Sequence, residues 1–191
     1  TDNGDSFGPI GGTFIAAGGA LNVQGAFVTV GPDHSVNAFY FDENSSPERI
    51  MTRRSTDQGL SFDAPVVVAT LGTGPGFNGD LGLTGIRQGT GTPAGFRSNA
   101  FPHAAVNPSS GHIYVTYSDN PAGTDKADVF MVMSTDGGAS WSAPVRVNDD
   151  ATTTDQWQPT ITVSPGGDRL GIFYYSRQDD VAGNNLFKYY S

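Results

Sequence analysis

The sequence predicts an all-β fold assembled from short, repeated antiparallel strands, and three observations support this. One turn motif recurs along the chain, and 26 Gly and 12 Pro supply many turn-forming positions. Runs of β-branched and aromatic residues alternate with polar clusters, as in half-buried strands. Because no helical periodicity extends beyond a turn or two, we expect very little helix.

The turn motif reads Ser-Thr-Asp-x-Gly-x-Ser-aromatic at residues 55–62 and again at 134–141. Residues 1–7 carry the same pattern without its leading serine, and a serine stands at position 191. An Asp carboxylate can accept backbone N–H groups just ahead of it, and the Gly tolerates the positive φ that such turns need. The aromatic residue anchors the outgoing strand. The motif residues are Asp2, Gly4, Phe7, Ser55, Asp57, Gly59, Phe62, Ser134, Asp136, Gly138 and Trp141.

The segments between the motifs align as well. Residues 25–32, 101–108 and 158–165 each predict a strand that ends in a turn, and residues 35–41, 112–118 and 169–175 predict a second strand. The chain is therefore a single domain of three repeats in one register, residues 1–55, 56–134 and 135–191.

These repeats resemble the Asp-box, or BNR, repeats of the sialidase-like β-propeller superfamily, over essentially the whole chain. The resemblance implies a propeller of four-stranded antiparallel blades with the Asp box between strands three and four. Blades are expected on residues 25 to 70, 101 to 147 and 158 to 191, the last without its own fourth strand.

Three blades do not close a ring of the usual four to eight. Two arrangements remain open. The chain is part of a six- or seven-bladed propeller, or it is a protomer completed by another copy whose N-terminal strand joins the last blade. In the second case residues 1–7 restore a full box after Ser191.

The net charge of −9 comes from 19 acidic residues, all Asp except Glu43 and Glu48. Such a surface disfavours nucleic acid and anionic lipid, which need clustered Lys and Arg. No apolar run approaches the length of a membrane span. The absence of Cys excludes disulfides and thiolate chemistry. The resemblance implies an extracellular or periplasmic protein.

In the resembled family, ligands bind on the face opposite the Asp boxes. Ligand-face candidates in this chain are Arg97, Trp157, Arg177, Asp179 and Asp180. Trp157 either stacks on a sugar ring or packs in the core. A Gly-rich insertion at residues 71–99 lies on the same face and is either flexible filler or a lid anchored by Leu81, Leu83 and other apolar residues.

Two functions stay open. The first is a non-catalytic propeller that binds glycan or protein or serves assembly. The second is part of an exo-sialidase-like glycoside hydrolase whose catalytic residues lie partly outside this chain. Sialidase chemistry needs an arginine cluster and a tyrosine nucleophile paired with a glutamate, and no motif assigns these roles. The residues available are Arg49, Arg87, Arg97 and Arg177, with Tyr117, Tyr174 and Tyr175, and Glu43 and Glu48.

The acidic residues of the loops suggest cation binding as an alternative role. Asp119, Asp125 and Asp128 offer the hard oxygen ligands that calcium prefers, although their spacing matches neither the EF-hand loop nor the RTX nonapeptide. The alternative is that these three carboxylates are solvated in a surface loop and bind no ion. The three histidines, His34, His103 and His112, show no metal-ligand spacing, and we expect structural or exposed roles for them.

Overall fold

The computed structural model describes residues 15–16, 23–72, 79–86, 93–120 and 126–191. These residues form β-strands joined by turns and loops, as expected, with no α-helix in the described ranges. In chain order the strands are β1 (Val23–Val30), β2 (Val36–Asp42), β3 (Arg49–Ser55), β4 (Val66–Thr70), β5 (Thr84–Ile86), β6 (Pro93–Gly95), β7 (His103–Val106), β8 (Ile113–Asp119), β9 (Asp128–Ser134), β10 (Val145–Arg146), β11 (Gln156–Val163), β12 (Leu170–Ser176) and β13 (Lys188–Tyr190).

The strands form three antiparallel meanders and one small hairpin. The first sheet has the order β1-β2-β3-β4, the second sheet β7-β8-β9-β10 and the third sheet β11-β12-β13, while β5 pairs with β6. The prediction of two four-stranded sheets is confirmed. The third sheet shows three strands among the described residues, and the expected contribution of Asp2, Gly4 and Phe7 lies outside them.

Strand register shows that the repeats are structurally equivalent. In the first sheet Val36 pairs with Ser55, and in the second Ile113 pairs with Ser134. Both serines begin a Ser-Thr-Asp turn. Asn37 and its partner Arg54 therefore occupy the positions that Tyr114 and Met133 occupy in the second sheet.

The two described Ser-Thr-Asp turns have matching hydrogen bonds. Asp57 accepts the Ser55 hydroxyl at 2.7 Å and the Ser61 amide at 2.9 Å, and Ser55 Oγ accepts the Gly59 amide at 2.8 Å. In the second turn Asp136 accepts the Ser134 hydroxyl and the Ser140 amide at the same distances. These bonds close the turns, as the sequence pattern predicts.

Topology divides the loops between two ends of the sheets. The end at which β1 meets β2 and β3 meets β4 carries the Ser-Thr-Asp turns and is called the turn end. The opposite end, where β2 meets β3 and the sheets are connected, is called the loop end. β7 contacts both β1 and β11, so the first strands of the three sheets lie side by side.

One apolar core joins the sheets. Phe39, Phe41 and Ile50 of the first sheet pack in the same cluster as Val115 and Tyr117 of the second. Leu81 and Leu83 also belong to it and are 2% and 0% exposed. Two apolar anchors of the insertion are thereby confirmed. No helix among the described residues is long and apolar enough to cross a membrane.

Candidate functional site

A polar cleft opens at the loop end, where the first strands of the second and third sheets begin. Its volume is about 160 Å³. The residues that line it are Arg97, Ser98, Asn99, Phe101, His103, Gln158 and Pro159. Of the ligand-face candidates predicted from the sequence, Arg97 lies in this cleft.

The insertion holds one wall of the cleft in place. The Leu81 amide donates to the Ser98 carbonyl at 2.8 Å, and the Ala100 amide donates to the Gly79 carbonyl at 2.9 Å. Asp80 Oδ1 accepts the Ser98 amide at 3.3 Å. Because Leu81 is buried in the core, residues 79–83 clamp the segment that carries Arg97.

A β-bulge shapes the opposite wall. In β11 the register shifts between Trp157 and Thr160, and Gln158 adopts a φ of 52°. β1 has a bulge at the same place, with Gly25 at a φ of 63°. A left-handed backbone suits Gly and is unfavourable for Gln. Non-glycine residues in this conformation cluster at functional sites, and bulges often re-aim a side chain there.

The cleft offers hydrogen-bonding groups that lack protein partners. Arg97 is exposed, and its guanidinium makes no hydrogen bond or ion pair with the described residues. The Ser98 hydroxyl is buried and also without a partner in the described part of the chain. A buried polar group without a partner costs free energy, so a bound ligand or water is favoured here.

His103 adds a neutral polar group. Its ring packs against that of Phe27 in a tilted arrangement with centroids 5.1 Å apart, and partial burial lowers the pKa of His103 below its ordinary value. The imidazole is therefore uncharged near pH 7 and presents one donor and one acceptor nitrogen. The sequence-based expectation of a structural or exposed role did not identify His103 as a cleft residue.

Two predicted ligand-face residues are buried. Arg177 and Asp155 form an ion pair of 2.9 Å, and each side chain is 1% exposed. The Arg177 guanidinium also lies 4.9 Å from the centroid of the Trp157 ring. Trp157 is 3% exposed and stacks on Tyr175, so its ring packs in the core and offers no face to a sugar. Arg177 therefore stabilises the loop end as a buried residue.

The other two predicted ligand-face residues organise the loop between β12 and β13. Asp180 accepts backbone amides of Asn185 at 3.0 Å and Leu186 at 2.9 Å, which lower the pKa of its carboxyl. Asp179 pairs with Lys188 and accepts the Tyr190 hydroxyl at 2.8 Å. These carboxylates do not line the cleft.

Two of the three calcium candidates have separate protein partners, and Asp125 lies outside the described residues. Asp119 accepts the Gly72 amide at 2.8 Å, whereas Asp128 accepts the Asn148 side-chain amide at 2.7 Å. In the described ranges no three acidic or histidine side chains come together to hold a metal ion. A calcium site here stays a prediction.

Two of the three tyrosines considered as nucleophiles, Tyr117 and Tyr174, are buried. They are 1% and 5% exposed. Burial raises the pKa of both phenols, so both stay neutral. The cleft lining itself contains no carboxylate.

The sequence contained a signal for one missed cleft residue. Aligning the repeats places Gln158 opposite Gly25, at a position where the backbone is left-handed in both sheets. A Gln in this left-handed conformation costs conformational energy that a Gly does not. Nothing in the sequence identified Ser98 as a cleft residue, because its position depends on how the insertion folds back.

Comparison with solved structures supports the fold. A Hadza microbial sialidase superposes with a TM-score of 0.56 and 16% identity, over 83% of this chain and 33% of that one. An α-L-arabinofuranosidase of Fusarium graminearum, solved with an iminosugar inhibitor, gives a TM-score of 0.50 and 13% identity, over 87% of this chain and 44% of that one. The chain thus spans less than half the length of either structure.

No protein-family model and no curated protein sequence matches the chain. The structural similarity nevertheless agrees with the repeats, the antiparallel meanders and the turn geometry. The comparison supports the predicted fold: the antiparallel sheets of this chain superpose on part of a sialidase and of an arabinofuranosidase that have β-propeller folds.

Proposed function

We propose that the chain is a carbohydrate-binding part of an extracellular or periplasmic sialidase-like β-propeller, and that the loop-end cleft contacts the glycan. The observation that carries this proposal is the unpartnered guanidinium of Arg97 in a cleft whose described lining residues include no carboxylate. A guanidinium can form paired, charge-assisted hydrogen bonds with a sugar carboxylate.

The proposal includes binding without catalysis by the residues of this segment. His103 and Gln158 supply neutral hydrogen bonds for sugar hydroxyls, while Phe101 supplies apolar surface. The Ser-Thr-Asp turns lie at the opposite end. We infer that they are Asp boxes with a structural role, and that additional blades, from the same polypeptide or another copy, complete the ring.

A binding experiment with a matched control tests the role of the cleft. The probes are 3′-sialyllactose, which carries a carboxylate, and arabinobiose, which is neutral. Replacing Arg97 with Met removes the guanidinium and retains much of the apolar stem. Arg169→Met is the control, because Arg169 is also exposed but lies in the β11–β12 turn at the turn end.

Arg97→Met is expected to weaken binding of 3′-sialyllactose by about tenfold or more, since hydrogen bonds to charged groups contribute roughly 1.5–3 kcal/mol. Arg169→Met is expected to leave the affinity unchanged. Equal affinity of the Arg97→Met variant and the parent protein for both probes, measured by isothermal calorimetry, contradicts the proposed site.

Release of fluorophore from a fluorogenic sialoside measures catalysis separately. No turnover is expected from this segment. Turnover by the segment that is abolished by Arg97→Met would instead favour the glycoside hydrolase alternative.

A further inference from the structure

A second polar pocket lies at the turn end, between the first and second sheets. Its volume is about 280 Å³, larger than that of the loop-end cleft. The β1–β2 turn, β2 and β3 form one side, and the Thr135–Gly137 turn and residues 106–113 of the second sheet form the other. Because it lies at the other end of the sheets, this turn-end pocket is distinct from the cleft of the proposed function.

Two buried polar atoms of the pocket residues lack hydrogen-bond partners among the described residues. One is the acceptor Oδ1 of Asn37, a residue that is only 1% exposed. The other is the donor Nε of Arg54. Leaving such groups unpaired is costly, so a partner that enters the pocket and pairs with the side chains of both residues is favoured.

The repeat itself does not require these polar residues. The register places Tyr114 and Met133 of the second sheet at the positions of Asn37 and Arg54. A tyrosine and a methionine at this pair show that the strands accommodate large side chains here. The polar pair is therefore a local departure of the first sheet.

The corresponding gap between the second and third sheets is bridged. Asn107 Nδ2 donates to the Gly167 carbonyl at 2.8 Å, and the Ser109 hydroxyl donates to the Gly166 carbonyl at 3.1 Å. Between the first and second sheets, the turn-end pocket lies at the equivalent position. Packing of sheets in this fold does not by itself leave an open polar pocket.

The lining carries two carboxylates, those of Asp33 and Asp136, and one guanidinium, that of Arg54. Arg54 Nη2 pairs with Asp33 at 2.7 Å, and Asp136 is held by the serines of its own turn. Gly137 permits the close approach of Arg54, because a Cβ there would lie 2.8 Å from Arg54 Nη1. An additional anion would meet two carboxylates, and an additional cation would meet the guanidinium.

Apolar groups form the remainder of the lining. Pro32, Val106 and Ile113 contribute carbon surface beside the polar groups. A sugar has this mixed character, because each hydroxyl both donates and accepts while the ring carbons present apolar C–H groups. The volume is close to the lower end of small-molecule sites, roughly 300 Å³.

We propose that the turn-end pocket is a second ligand site that binds a neutral, polyhydroxylated molecule of monosaccharide size. Ligand hydroxyls pair with the Asn37 side-chain amide and the Arg54 guanidinium, and the Pro32 and Ile113 side chains contact the ring. The site is independent of the loop-end cleft.

The test is an NMR titration of the isotope-labelled protein with D-galactose and L-arabinose, with N-acetylneuraminic acid as the acidic comparison. A neutral sugar is expected to shift the Asn37 side-chain amide, the Arg54 Nε–H and the Gly137 amide with a Kd of about 1 mM, a weak affinity suited to a small ligand with few contacts. N-acetylneuraminic acid is expected to leave these signals in place.

Two variants separate binding from folding. Asn37→Leu removes the unpartnered acceptor, and its melting temperature should be unchanged or raised because no protein hydrogen bond is lost. Ser110→Trp fills the pocket from an exposed rim position. Each is expected to weaken neutral-sugar binding by at least about tenfold, the effect of losing a contact worth roughly 1.4 kcal/mol.

Arg97→Met is the control for the loop-end cleft and should leave the shifts at Asn37 intact. If neither neutral sugar shifts the signals of Asn37, Arg54 and Gly137, the inference is wrong and the pocket holds only solvent. Retention of full affinity by both Asn37→Leu and Ser110→Trp overturns it as well.

Discussion

The Arg177 guanidinium lies 2.9 Å from the Asp155 carboxylate, and both side chains are 1% exposed. Arg177 also donates to the carbonyl of Thr84 in the insertion and packs against Trp157. Asp155 accepts the Lys126 amide and the Asn184 side-chain amide, each at 2.9 Å. One buried ion pair therefore ties together the third sheet, the insertion and two loops.

Replacing Arg177 with Met is expected to lower the free energy of unfolding by about 3–5 kcal/mol, because it leaves the Asp155 charge buried without its counter-ion. Urea denaturation measures the change. Arg169→Met, at an exposed position, should stay within about 0.5 kcal/mol of the parent protein. A loss below 1 kcal/mol for Arg177→Met would contradict the structural role of the pair.

The Ser-Thr-Asp turns predict an acid-sensitive contribution to stability. Hydrogen bonds from the serines lower the pKa of Asp57 and of Asp136 from 3.8 to about 2. Because the folded-state pKa is depressed, the contribution is complete above the ordinary pKa and is lost as the pH falls towards 2. The double variant Asp57→Asn, Asp136→Asn should melt below the parent protein at pH 7.

This difference in melting temperature is expected to narrow between about pH 4 and pH 2. Asp149→Asn is a useful comparison, since Asp149 is exposed and lies outside these turns. A difference that stays constant over that pH range would refute the explanation from the depressed pKa.

The two equivalent bulges predict opposite effects of substitution. Gly25→Ala should destabilise the protein by more than about 1 kcal/mol, because Gly25 has a φ of 63° and a Cβ would lie 2.4 Å from Phe101 Cγ. Gln158→Gly should stabilise it by about 1 kcal/mol by relieving the left-handed conformation of a non-glycine residue.

Gln158→Gly is also expected to weaken glycan binding, because it removes a side chain from the cleft. Thermal denaturation and a 3′-sialyllactose titration of the same sample measure the two effects. Unchanged stability together with unchanged affinity would show that the left-handed Gln has neither cost nor use.

Trp141 links the second turn to the core. Its ring meets that of Phe39 in an edge-on contact with centroids 6.0 Å apart. Trp141→Ala is expected to cost about 3 kcal/mol, the lower end for a large aromatic residue, since the ring is only partly buried. Leu60→Ala, at a residue 72% exposed, should change stability little. Equal melting temperatures of the two variants would contradict the anchoring role, and binding at the cleft should persist in both.

Local chemistry allowed the turns, the strands and their repeat to be predicted from the sequence. The Asp of each turn bonds to serines two and four residues away, and strand pairing follows from alternation and turn position. The buried roles of Trp157 and Arg177 were harder to predict, because a Trp or Arg near a strand end has the same local pattern whether it faces solvent or the core.

The all-β architecture and the position of the structural turns could be read from the amino-acid sequence, since these depend on contacts within a few residues or between neighbouring strands. Which polar residues are available to a ligand depends on tertiary contacts. Arg97 is exposed because the insertion folds back through Leu81, whereas Arg177 is buried because Asp155 and Trp157 meet it from elsewhere in the chain. The pairing of Asn37 with Arg54 beside the next sheet's turn likewise arises only when two sheets pack together.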